Sequence, residues 1–211
     1  MLQSTSVVVF VLVSALLVGL LARAYHRWQN EHAGMGGAIS KPKTTWLFFA
    51  LYQYFILSPA AWLYLPPTNR FQGVLALFAG LMYFRLVAQG VLMFWVKQWT
   101  PPMGIAHNLA GGLLVGGAWV AAAMAPGAWN TSEMALAAWL VMVVLMLWVD
   151  TYYAAVFYRL VGRGSTKGEA AIWYASAEDP RFVRINRVTR GFNVFFMVYF
   201  AALWVAYVIK G

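Results

Sequence analysis

Two side chains of opposite charge stand where charge is expensive. Asp150 lies inside the apolar stretch LMLWVDTYYAAVF, and Arg85 lies inside another, FAGLMYFRLVAQGVLMFWV, with Gln89 four residues later on the same helical face. An ionised group at the centre of a bilayer costs at least about 2.5–3.5 kcal/mol on insertion scales. Such a group therefore takes up a proton, turns into the interior of a helix bundle, or meets a counter-charge. At a helical rise of about 1.5 Å per residue, Asp150 lies roughly 13 Å in from Arg159. By the same count Gln89 and Arg85 lie roughly 12 and 18 Å in from Lys97, Gln53 roughly 15 Å in from Lys43, and Ser14 roughly 13 Å in from Arg23. The expectation is one buried polar layer: Arg85 pairs with Asp150, while Gln53, Gln89 and a hydroxyl of Tyr152 or Tyr153 satisfy the remaining donors and acceptors. Such a layer has two uses. It can be interhelical glue, which specifies an arrangement more than it stabilises one, or it can line the path of a proton, an ion, a headgroup or a quinone.

A second group is WTPPMGIAHN, which brings Trp99, His107 and Asn108 together near the start of the fourth apolar run. It reads as an interfacial site, since a helix N-terminus favours an anion. The plainer reading puts Trp99 in the interfacial aromatic belt and leaves His107 exposed. Other chemistry is excluded. With no cysteine, there is no disulfide, iron–sulfur cluster, thiol nucleophile or Cys-ligated zinc. His26 and His32 fall in a loop and His107 at a helix start, so they do not face one another as a buried bis-histidine haem requires. No metal-binding set is present, H-E-x-x-H included, and GRGSTKG lacks the spacing of a phosphate loop. The sequence specifies no cofactor, and a lipid or a quinone remains the ligand class it could accommodate.

The elements that must position these groups follow from composition. The chain of 211 residues is 63% hydrophobic and 10% charged, against about 25% charged in a soluble domain. The expected fold is all-α, a polytopic integral membrane protein of about six helices in a single transmembrane domain. The spans fall near 4–22, 45–65, 73–97, 105–125, 134–158 and 191–209, each near the roughly 20 residues a span needs. They are separated by proline- and glycine-bearing breakers such as LPPTNRF, QWTPPMG and APGAWNTSE. Of the 15 basic residues, twelve fall in the loops after the first, third and fifth spans. The positive-inside rule therefore makes 23–44 and 159–190 cytoplasmic loops and puts both termini outside, in a bacterial-type inner membrane. The start MLQSTSVVVF has no basic leader region and reads as an uncleaved anchor. NTS at 130–132 reads as an ordinary polar turn. The net charge of +9 invites a nucleic-acid reading, but its confinement to loops between spans matches anionic lipid on the cytoplasmic face instead. The run from Arg181 to Arg190, with Phe182, Val183, Ile185 and Val188 among the arginines, suits a segment lying on such a surface.

The fourth span, AGGLLVGGAWVAAAMA, carries Gly112 and Gly116 as a G-x-x-x-G. Small residues let helix backbones approach closely in lipid, so this span is expected at the centre of the bundle with both glycines against a neighbour. Three function classes remain. One is a non-catalytic membrane component (an anchor, assembly factor or subunit of a larger complex) with a protein partner or a second copy of itself. Another is a small transporter or channel using the Arg85–Asp150 layer. The third is a lipid- or quinone-active enzyme with His107 and Asp150 as its candidate groups.

Overall fold

The computed structural model describes residues 2–32, 39–64, 68–96, 101–161 and 183–210, and all regular structure among them is helical. The α-helices are α1 (Leu2–His32), α2 (Lys41–Leu51), α3 (Ser58–Tyr64), α4 (Gln72–Gly90), α5 (Pro101–Met124), α6 (Thr131–Val161) and α7 (Val183–Lys210). Two π-helical stretches, Tyr52–Leu57 and Val91–Val96, join α2 to α3 and extend α4. Five helical segments, Val8–His32, Lys41–Leu63, Gln72–Gly90, Met103–Met124 and Thr131–Val156, are long and apolar enough to cross a membrane. The sixth expected span falls within α7. By its internal contacts the chain divides into two compact units where the sequence suggested one domain: Met1–Gln53 with Glu169–Gly211, and Tyr54–Gly168.

In the first unit, α2 packs against both α1 and α7. Polar groups join the three helices at one end. Ser40 caps α2, its Oγ accepting from Lys43 N at 3.3 Å while donating to Asn186 Oδ1 at 2.8 Å. Asn30 of α1 accepts from the Ile39 amide at 2.9 Å and donates to its carbonyl at 3.2 Å. The His26 ring and the Thr44 hydroxyl are 2.8 Å apart, and Asn193 donates to the Pro42 carbonyl at 2.9 Å. These contacts lie in stretches that the sequence places between spans, and the helices run on into them. Residues 23–32 and 183–190 are helical, because a polar inner face at Asn186, Thr189 and Asn193, all buried, gives a charged stretch something to pack with.

In the second unit, α5 lies along α6 and also packs against α4, while α3 packs against α4. Each long helix presents a stripe of alternating three- and four-residue steps, the periodicity of a helix seam. On α6 the buried stripe runs through Leu136, Leu140, Val143 and Leu147, with Ala137, Trp139 and Met146 buried beside it, and α4 contributes Leu75, Phe78 and Met82, which follow the buried Phe71 just before its start. Gly111, Gly112 and Val115 form the corresponding face of α5. At one end of this seam Asn130 starts α6 as a capping box. Its Oδ1 accepts from Glu133 N at 2.9 Å, and Glu133 Oε2 accepts from Asn130 N at 3.1 Å. The same glutamate meets Arg70 Nε at 3.2 Å. The Arg70 guanidinium also donates to the carbonyls of Ala125 at 2.9 Å and Gly127 at 3.2 Å. Gly127 has φ +107°, a conformation that a Cβ opposes. Phe71, Trp119 and Trp129 cluster beside this group with ring centroids 5.2–6.5 Å apart.

The glycine expectation needs correction. A Cβ on Gly112 would lie 3.4 Å from the Trp148 ring, whereas one on Gly116 would meet nothing within 4 Å. The close contact is at Gly112, whose partner is the single broad indole of Trp148, and that ring does not extend to Gly116 one turn further along. Gly112→Leu is expected to cost about 1–3 kcal/mol by overpacking against that ring, and Gly116→Leu to leave thermal unfolding in detergent unchanged. Asn130→Ala is expected to lower stability by about 1 kcal/mol through loss of the cap, with Asn130→Asp recovering most of it in the same melt.

Candidate functional site

The seams of α4 and α6 continue past their apolar residues onto charge. On α4 the stripe Leu75, Phe78, Met82 runs on at the same spacing to Arg85, and on α6 the stripe Val143, Leu147 runs on to Asp150. Both charged side chains therefore turn inward for the same reason the leucines do. Arg85 Nη1 lies 3.8 Å from Asp150 Oδ2, with side-chain exposures of 15% and 6%. At that length the contact is an ion pair rather than a hydrogen bond. The same Nη1 donates a short hydrogen bond to Asn108 Oδ1 on α5. The guanidinium thus has a neutral acceptor from one helix and a carboxylate from another.

Asn108 brings His107 with it. The His107 Nε2 is 3.0 Å from the Leu81 carbonyl, so the proton on that nitrogen is donated to the α4 backbone. Its Nδ1 is 3.4 Å from Asn108 Oδ1, and the ring stacks on Phe84 with centroids 6.4 Å apart. His107 is half-buried and Asn108 is 1% exposed. Both residues lie near the start of α5, where the sequence placed them, and both also reach α4. The Pro101–Pro102 pair was read as a breaker, but proline fits the first turn of a helix, where its missing N–H has no intrahelical partner to lose. The α5 helix therefore opens at Pro101, and His107 and Asn108 lie in its second turn, beside Arg85. Trp99 lies outside the described residues.

The other expected members of the layer divide. The Tyr153 hydroxyl is buried, while Tyr152 is 46% exposed, so Tyr153 is the one turned inward. Tyr54 is buried and packs edge-on against Phe78 at 5.5 Å. Gln89 is half-buried and, among the described residues, has no side-chain hydrogen bond. Gln53 is wholly buried and belongs to the first unit, as does Ser14, whose Oγ is 3.2 Å from the Tyr52 hydroxyl. Among the described residues no three His, Asp or Glu side chains converge. Sequence reasoning missed Asn108 as a partner of Arg85. The signal that finds it is phase: Asn108, Gly111 or Gly112, and Val115 share one face of α5.

The group Arg85–Asn108–Asp150, with His107 behind Asn108, can hold three helices in one register, and it can pass a charge or a proton only by breaking its own contacts. The chain matches no protein-family model, curated protein or solved structure.

Removing either charge leaves the other buried and uncompensated. Arg85→Gln and Asp150→Asn are each expected to destabilise the protein by about 3 kcal/mol. The double variant should fall short of the sum by at least about 0.5 kcal/mol, read from denaturation in detergent. Additive losses would show that the two charges do not interact.

Proposed function

We propose that the chain is a small multi-pass component of a bacterial-type inner membrane, with both termini on the outer side. It serves as an anchor, assembly factor or subunit of a larger membrane complex. The observation that carries this reading is that the opposite charges inside the α4 and α6 seams are engaged with one another: Asp150 and Asn108 share the guanidinium of Arg85, the arrangement of a packing device. Insertion is supported by α1, which exposes Val9, Leu12, Val13, Leu16, Leu17, Leu20 and Leu21, each by half or more. A helix apolar on all sides belongs in a core or in lipid. The orientation rests on the distribution of basic residues, and it is sharpened by Arg70, a basic residue of the opposite side that Glu133 neutralises.

A second reading, a small proton- or ion-coupled transporter, is favoured by His107 and by Asn108 Nδ2. The imidazole lies beside Asn108, its Nδ1 3.4 Å from Oδ1 with both atoms acceptors when Nε2 carries the proton, and Nδ2 is buried with no hydrogen-bond partner among the described residues. It is a donor that a hydrated ion would meet.

Native mass spectrometry after gentle detergent extraction is expected to show a stoichiometric protein partner, retained by the Arg85→Leu/Asp150→Leu double variant. Proton or ion flux in proteoliposomes of the purified chain, abolished by Asp150→Asn, would replace this reading with the transporter. Alkaline phosphatase fused at Gly211 is expected to be active and a fusion at Lys167 inactive; the reverse pattern would invert the orientation.

A further inference from the structure

The joined end of the first unit gathers cations from three helices. Arg23 and Arg27 of α1, Lys41 of α2, and Arg184, Arg187 and Arg190 of α7 are all exposed. The bonds from Asn30 to Ile39, from Ser40 to Asn186 and from Asn193 to Pro42 hold their backbones in fixed spacing. One acid accompanies them among the described residues of this end, Glu31. It is 3.8 Å from Arg27 with both side chains mostly in solvent, a contact that neutralises little. The neighbouring stretches add no net charge: residues 33–38 are uncharged, and residues 162–182 carry three basic and three acidic side chains.

Apolar surface borders the charge on the same helices. On α1, Leu16, Leu17, Leu20 and Leu21 are exposed just before Arg23, and on α7, Val194, Met197 and Val198 are exposed just after Arg190. Trp28, half exposed, stacks between Tyr25 and His32 with centroids 6.4 and 5.7 Å apart, an aromatic column of the kind found at headgroup level. A partner that offers an anion and hydrocarbon within one helical turn of each other is an anionic phospholipid. A nucleic acid or an acidic soluble protein would leave the apolar half of this surface unmatched. We propose that the Arg23/Arg27 and Arg187/Arg190 faces bind the phosphodiester headgroups of anionic phospholipids, with arginine supplying the paired donors that phosphate oxygens accept. This proposal rests on the reading of the chain as a membrane protein.

The test uses the full chain in neutral detergent, with phosphatidylglycerol and phosphatidylcholine offered together and retention read by native mass spectrometry. Wild type is expected to retain phosphatidylglycerol at least about tenfold over phosphatidylcholine. Arg187→Gln/Arg190→Gln and, separately, Arg23→Gln/Arg27→Gln are each expected to lower that preference by roughly fivefold. Arg159→Gln, an exposed arginine of the other unit, should keep it. Equal retention of the two lipids by wild type, or an unchanged preference in both double variants, would overturn the proposal. Carbonate extraction of the same cells separates the two claims. Release of the chain into the soluble fraction would sink the membrane reading itself, whereas a chain that stays in the membrane without lipid preference would sink only the headgroup site.

Discussion

The interior of the second unit is arranged around the cost of a charge in an apolar seam. Arg85 and Asp150 occupy positions that the preceding residues of their own helices fill with Met82 and Leu147, so neither can turn outward without turning the apolar stripe outward too. Once both are inside, α4 and α6 are held to the one register in which guanidinium and carboxylate approach to 3.8 Å. A slip of one helical turn, about 5.4 Å, would set each charge against hydrocarbon. Asn108 extends the constraint to α5. Apolar packing alone would tolerate many registers, and the polar group selects one, which is the best-attested use of a buried ionic contact.

The other end of the seam is fixed by a different device. Asn130 and Glu133 start α6, and Arg70 ties the segment before α4 to the carbonyls that follow α5. The three long helices are therefore pinned at both ends by polar contacts, with Leu75, Phe78, Leu140, Val143 and Gly112 filling the length between. The first unit uses a similar division of labour on a smaller scale. Its helices α1, α2 and α7 are joined through Asn30, Ser40 and Asn193, and its longest apolar surface, on α1, faces outward.

The helices were legible because long apolar runs admit few other structures, and the depth count picked out Arg85 and Asp150 because few charges lie so far from a helix end. What stayed hidden depended on phase and local chemistry. Depth says how far along a helix a residue lies but not which way it points, so Gln89, at the right depth, makes no described polar contact, while Asn108, near a helix start, meets Arg85. Pro101 and Pro102 separate two spans and also begin the second of them. NTSE was read for its first three letters, although the fourth completes a capping box. Gly112 and Gly116 were treated as equivalent, although a single indole decides which of them matters. Arginine-rich stretches at 23–32 and 184–190 read as loop because their charges are conspicuous and their polar partners, the half-hidden Asn30–Ile39 bonds and the buried Asn186, are not.

The pairing of Arg85 with residues on later helices also bears on how such a chain is made. Synthesis runs from the N-terminus at roughly 5–20 residues per second, and Asp150 follows Arg85 by 65 residues. For several seconds the arginine exists without its carboxylate. Asn108 follows it by only 23 residues, so the neutral acceptor arrives well before the charged one. An α4–α5 hairpin emerging on its own already carries an acceptor for the guanidinium, and α6 then adds the opposite charge to a group that has been kept waiting in place.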